Sequence, residues 1–149
     1  MAYMKIEKGD ILNYIGVADM VCVTTNGIIK SNGELVMGAG CALEFKNRFP
    51  KIPKILGDKI KKSGNLPYVA GKVGETYIVS FPTKNNYKDS SDINLIVNSA
   101  KCIVEIADYL KAEIVCIPSP GTGFGGLDKE EVYNKLRHLL DDRFIILEL

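Results

Sequence analysis

The stretch "VMGAGCALEFKNRFP", Val36 to Pro50, changes character at Cys41. Gly38 and Gly40, flanking Ala39, give way to a charged segment in which Ala42, Phe45 and Phe49 follow helical spacing. A bare backbone at the start of a helix has two readings. Unpaired N–H groups and partial positive charge collect at a helix N-terminus, and glycines let an anion approach them, which makes Gly38-Ala39-Gly40 a phosphate cradle. Alternatively it is a turn that needs small residues and positive φ. The stretch alone does not choose between them.

Working outward, the chain alternates strands and helices. "YMKIEKG" alternates apolar and polar residues as a half-buried strand does, and "MVCVTTN" reads as a fully buried one. Beyond the helix that follows Cys41, Pro50 and Pro53 interrupt, and "KILGDKIKKSGN" adds a second helix ending at Gly64 with lysines in its last turn. "VAGKVGETYIVSFP" gives two strands hinged at Gly74-Glu75, and the next helix starts near "DSSD", where Asp and Ser can cap. Its apolar stripe runs through Ile93, Ile96, Val97, Ala100, Val104, Ala107 and Leu110. The strand "EIVCIP", the loop "SPGTGFGG", the helix "LDKEEVYNKLRHLLDD" and the strand "RFIILEL" complete the order. The fold class is α/β, with helices on both faces of a largely parallel or mixed sheet.

A chain of 149 residues fits one domain, residues 1–149. With 46% hydrophobic and 25% charged residues it has a globular composition, and a formal net charge of +1 gives no general affinity for nucleic acid or membrane. No segment approaches a membrane span and "MAYMKIEKGD" lacks the apolar core of a signal peptide, so the default expectation is a cytoplasmic monomer that does not engage membranes. Cys22, Cys41, Cys102 and Cys116 form no close pair and His138 is the one histidine, so no zinc site is expected and thiol catalysis is set aside.

In such sheets ligands bind at the carboxyl ends of strands. Four segments qualify: "GDI", "TTNG" with the glycine turn, "FPTKNN" and "SPGTGFGG". "GTGFGG", Gly121 to Gly126, formally matches G-x-G-x-x-G, with Glu148 about the right distance beyond it for a dinucleotide site. That match is weak, because only one strand follows and "PSP" is unlike a tight strand-to-helix turn. Two separated glycine loops suit a ligand whose diphosphate is clasped from both sides. Asp10 either accepts from an adenine amino group or caps the segment "ILNYIG". Asn26 either bonds a ribose hydroxyl or closes a turn with Gly27.

"KGDI", the buried strand ending in Asn26, "MGAGCALEFKNRFP", "FPTK" and "PSPGTGFGGLDKEEV", in this order and spacing, resemble the macrodomain family over nearly the whole chain. The resemblance implies a three-layer α/β/α sandwich with a mixed central sheet, and is strongest to the branch that removes ADP-ribose through a lysine. Carried over, it assigns Asp10 to the adenine amino group and Ile11 to the neighbouring backbone contact. Asn26 and the segment Met37, Gly38, Ala39, Gly40 and Cys41 would approach the distal ribose and diphosphate. Ser119, Gly121, Thr122, Gly123, Phe124, Gly125 and Gly126 would line the second phosphate loop. Thr83 would contact the ligand, and Lys84 beside it matches the catalytic lysine, whose free amine can attack an anomeric carbon; without the resemblance Lys84 would read as a solvated loop residue.

The implied partner is ADP-ribose or an ADP-ribosylated macromolecule, DNA or protein, and no cofactor or metal is implied. Protein-directed members carry an aspartate where Gly125 stands, whereas the Gly-Gly pair fits the DNA-directed pattern. "VTTNG" replaces the Val-Asn-Ala-Ala-Asn string of the larger branch, which disfavours its acetyl-ADP-ribose deacetylase chemistry. A non-catalytic ADP-ribose reader, an ADP-ribose-phosphate phosphatase and, last, a nicotinamide dehydrogenase are the alternatives. Tyr87 and Lys88 offer conceivable stacking and cationic contacts to a nucleic acid.

Overall fold

In the computed structural model, which describes residues 2–123 and 125–149, six strands form one sheet in the order β1-β6-β5-β2-β4-β3. They are β1 (Lys5–Lys8), β2 (Met20–Thr25), β3 (Val69–Val73), β4 (Thr76–Pro82), β5 (Val115–Pro118) and β6 (Phe144–Glu148). All neighbouring pairs are parallel except the β3–β4 hairpin, so the mixed sheet has one antiparallel edge. Four α-helices, α1 (Gly40–Arg48), α2 (Ile52–Ser63), α3 (Ile93–Leu110) and α4 (Lys129–Arg137), and a short 3-10 helix (Ile11–Tyr14) cover it.

Strands apolar on both sides need cover on both sides. On one face Met20 and Cys22 of β2 and Val79 and Phe81 of β4 pack with Ile96, Ala100 and Ile103 of α3 and Leu136 of α4. The alternate residues Val21, Val23 and Ile78 pack on the other face with Phe45 of α1 and Ile52, Leu56 and Ile60 of α2. The result is the three-layer α/β/α sandwich.

Four local expectations shift. All four residues of β1 are exposed, because it is an edge strand and only Met4, just before it, enters the core. Helix α2 begins at Ile52, taking Pro53 into its first turn, where a missing N–H costs nothing. On α3 the buried face runs through Ile96, Ser99, Ala100, Ile103 and Ala107, while Val97 lies at its margin. Ser99 is admitted to the core because its hydroxyl donates to the carbonyl of Pro82 at 2.7 Å. Helix α4 ends at Arg137, short of Asp142.

Asp92 caps α3 as expected, accepting from the N–H groups of Asn94 and Leu95. No helix among the described residues is long and apolar enough to cross a membrane.

Candidate functional site

The five parallel strands point one way, so their carboxyl ends share one edge. Three adjacent strands, β5, β2 and β4, deliver the two glycine loops and the lysine loop side by side. Prolines Pro82 and Pro118 end β4 and β5 there, since neither can donate to a ladder.

The first glycine loop ends at the N-terminus of α1. Ala39 supplies no side-chain cap and the first turn of α1 carries no acid, so the first N–H groups are left to an outside acceptor. Gly38, Ala39 and Gly40 are exposed. Gly40 has a φ of 55°, which a side chain would strain, and a Cβ on Gly38 would meet nothing within 4 Å. Met37 is 2% exposed and enters the site only through its main chain. Asn26 is buried, with Nδ2 donating to the Val36 carbonyl at 2.8 Å and Oδ1 accepting from Ile28 N–H at 2.8 Å. Its amide thus staples the loop that leads from β2 to Gly38.

The second loop follows β5. A Cβ on Gly125 would collide with Ser91 Oγ and sit 2.6 Å from the Gly121 carbonyl oxygen, and the Gly125 carbonyl accepts from Ser91 N–H at 2.9 Å. At Gly121, with φ 76°, a Cβ would lie 2.7 Å from Ile96 Cδ1 and 3.1 Å from Leu127 Cδ1. Gly123 and Gly126 are exposed, and Phe124 lies outside the described residues. Ser119 Oγ lies 2.7 Å from both Thr122 Oγ1 and Tyr133 Oη, and Tyr133 donates to Glu148 Oε2 at 2.7 Å. Lys129 Nζ pairs with the same carboxylate oxygen at 3.2 Å. Burial pushes the Tyr133 phenol up to about 12, so it stays a donor at neutral pH.

On the side of β2 away from β5, Thr83 continues from β4. Its N–H donates to the Thr25 carbonyl at 3.0 Å and its buried hydroxyl points to the same oxygen at 3.5 Å. Lys84 is half-buried and forms no ion pair among the described residues. Its carbonyl accepts from Asn65 Nδ2 at 3.2 Å.

At the β1 and β6 end a cavity of about 110 Å³ is lined by Asp10, Ile11, Cys41, Glu44, Pro118 and Leu147, among others. Asp10 Oδ1 accepts from Leu12 N–H at 3.0 Å, so the capping reading holds, and the same side chain borders the cavity. Ile11 is buried against Leu147 and its neighbours. Burial raises the Cys41 thiol to about 12, which keeps it protonated at neutral pH and no nucleophile. A larger open groove of about 320 Å³ lies between Phe49, Ile52 and Ile55 and the edge strand β3, away from all four loops.

A family model described as "Macro domain" matches residues 30–136. The chain belongs to the macro domain family. It is 30% identical over 131 residues to a DNA ADP-ribosyl glycohydrolase of Mycobacterium tuberculosis, the match covering 81% of this chain and 36% of the relative. The chain therefore spans about a third of the length of such curated relatives. Among solved structures it is similar to the macrodomain of Thermus aquaticus DarG, with TM-score 0.81 and 24% identity over 98% of both chains. It also resembles Thermosipho africanus DarTG in complex with ADP-ribose, with TM-score 0.76 and 25% identity over 97% of this chain and 42% of that one.

Within this macrodomain, the residues singled out from sequence, Phe124 aside, gather at one edge of the sheet, with two changes of emphasis. Asn26 and Ser119 spend their polar groups on the protein, and Met37 is a core residue. Tyr133, Asn65 and Ser91 were not foreseen as parts of the site, and Glu148 was raised only with the weak dinucleotide match. Each acts through a contact 14 or more residues away in sequence, which no local motif announces. Glu44 was legible in principle, one helical turn beyond Gly40 and so on the same side of α1.

Proposed function

We propose that this macrodomain binds ADP-ribose along the edge formed by the loops after β1, β2, β4 and β5, and hydrolyses an ADP-ribosyl linkage on DNA with Lys84 as nucleophile. The observation that carries the reading is the bond from Thr83 N–H to the Thr25 carbonyl, which holds Lys84 next to the strand that feeds the first glycine loop. Adenine would fit the small apolar cavity beside Asp10, and the diphosphate the uncapped N-terminus of α1, fed by the strand next to the one that feeds the second glycine loop.

The Lys84 amine nitrogen then attacks the anomeric carbon of the distal ribose and gives up a proton as the C–N bond forms. The bond to the modified base breaks with its electron pair leaving on the base, which takes up a proton. Water cleaves the lysine adduct, releasing ADP-ribose and restoring the amine. Both steps are substitutions at one carbon and call for no redox group. Holding the sugar against the amine supplies much of the rate.

DNA is favoured over protein by the names of the relatives and by Gly125. Its surroundings leave no room for the aspartate that the protein-directed pattern carries there. The test is ADP-ribose release from a thymidine-ADP-ribosylated single-stranded oligonucleotide and, in parallel, from a peptide ADP-ribosylated on glutamate. Release from the oligonucleotide supports the reading. Release from the peptide alone overturns the DNA assignment, and release from neither, by folded protein that binds ADP-ribose, leaves a reader.

A further inference from the structure

Three residues beyond Lys84, Tyr87 has no core to pack into and is 47% exposed. The segment that carries it is nevertheless tied down. Asn86 holds the turn from within, its side chain accepting from Lys88 N–H at 3.0 Å and its carbonyl from Asp89 N–H at 3.0 Å. From the end of α2, Asn65 Nδ2 donates to the Lys84 carbonyl and, at 3.0 Å, to Asn85 Oδ1. The Asn85 carbonyl accepts from Gly27 N–H at 3.0 Å, and further on the Thr83 carbonyl accepts from Asp92 N–H at 2.8 Å. The Cα of Tyr87, on a fixed turn, is thus kept within about 11 Å of that of Lys84. Lys88 Nζ lies 5.9 Å from the ring centroid, setting a cation beside an aromatic face. Leu66, next to Asn65, is also exposed.

An accessible ring on a held turn, with an ammonium over it, suits a base that can be stacked and a phosphate that can be neutralised. Base faces are free for this in single strands and occupied in duplexes. We infer that Tyr87 and Lys88 form a subsite for a neighbouring nucleotide of a single-stranded DNA substrate, Tyr87 stacking its base and Lys88 meeting its phosphate. The subsite rests on the DNA-directed reading of the adjoining lysine loop.

The test uses the Lys84→Ala protein, so that substrate is not consumed, and compares its affinity for a labelled thymidine-ADP-ribosylated single-stranded oligonucleotide with that for free ADP-ribose. Adding Tyr87→Ala should weaken oligonucleotide binding about tenfold and leave ADP-ribose binding unchanged. Tyr87→Phe, which keeps the ring, should bind as the parent does. Lys88→Ala should lower the slope of log affinity against log salt by about one. Unchanged oligonucleotide binding in Tyr87→Ala, or equal losses for both ligands, would overturn the subsite. Tyr87-dependent binding in a protein whose wild type releases no ADP-ribose would sink the hydrolase reading and leave the subsite standing.

Discussion

Tyr133 Oη donates its only proton to Glu148 Oε2 at 2.7 Å, and this fixes the direction of every hydrogen bond behind the second glycine loop. The phenol oxygen must then accept from Ser119, whose single proton is used there, so Ser119 Oγ accepts from Thr122. All three protons run away from the loop toward the carboxylate. Thr122 therefore presents lone pairs outward, and in the proposed diphosphate site contacts to phosphate oxygens would fall to main-chain N–H groups.

Removing the phenol breaks that chain at its middle. Tyr133→Phe should lower stability by about 1 to 2 kcal/mol, the cost of leaving the Ser119 hydroxyl short of an acceptor, and should weaken ADP-ribose binding several-fold. Urea unfolding and calorimetric titration check both. No change in either would mean the chain does not support the loop.

Glycines in the same loop differ in what they tolerate. At Gly125 a methyl would meet Ser91 and the Gly121 carbonyl, whereas at Gly123 it would meet nothing within 4 Å. Overpacking costs typically about 1 to 3 kcal/mol, so Gly125→Ala should lower the melting temperature and ADP-ribose affinity, and Gly123→Ala should leave the melting temperature alone. Thermal melts of the pair read this contrast directly.

Asn65 is expected to act as a positioning residue. Its Nδ2 holds the Lys84 carbonyl and the Asn85 side chain. Asn65→Ala should cut turnover ten- to a hundredfold, on the order of a 1 Å misplacement, while ADP-ribose affinity holds. Asn65→Asp, which keeps size but loses the donor, should fail to rescue. A drop in affinity equal to the drop in turnover would point to a general loosening of the loop instead.

Acid should weaken the fold through Asp141. Arg143 donates to its carboxylate at 3.0 Å and holds it below the usual range. A depressed folded pKa contributes stability above the unfolded value of 3.8, and that stability is lost as pH falls through the lower folded value. Asp141→Asn should therefore cost more stability at pH 6 than in acid below pH 3.8. Equal effects at both would deny the ion pair its role.

The layers were legible because each rests on a short-range rule. Met20–Thr25 reads as a buried strand from its unbroken apolar run, and Gly64, Gly74 and Asp92 mark ends where the structure has them. Strand β1 was legible as a strand but not as an exposed edge, because neighbours in a sheet come from distant sequence and Ile6 looks like a core residue until its position is known. The loops were legible as loops through their glycines and prolines. Their internal wiring was not: whether Asn26 faces a ribose or the Val36 carbonyl depends on where residue 36 returns. The crowding that makes Gly125 obligatory comes from Ser91, on a segment 34 positions earlier.

The central claim is that Lys84 attacks a sugar which the glycine loops hold without its help. The most direct test is single-turnover ADP-ribose release from thymidine-ADP-ribosylated single-stranded DNA by wild type and Lys84→Ala, with ADP-ribose affinity measured on the same preparations. The account predicts that Lys84→Ala keeps its affinity and loses release by at least about a hundredfold. Release by Lys84→Ala at the wild-type rate would contradict it and pass the chemistry to another group.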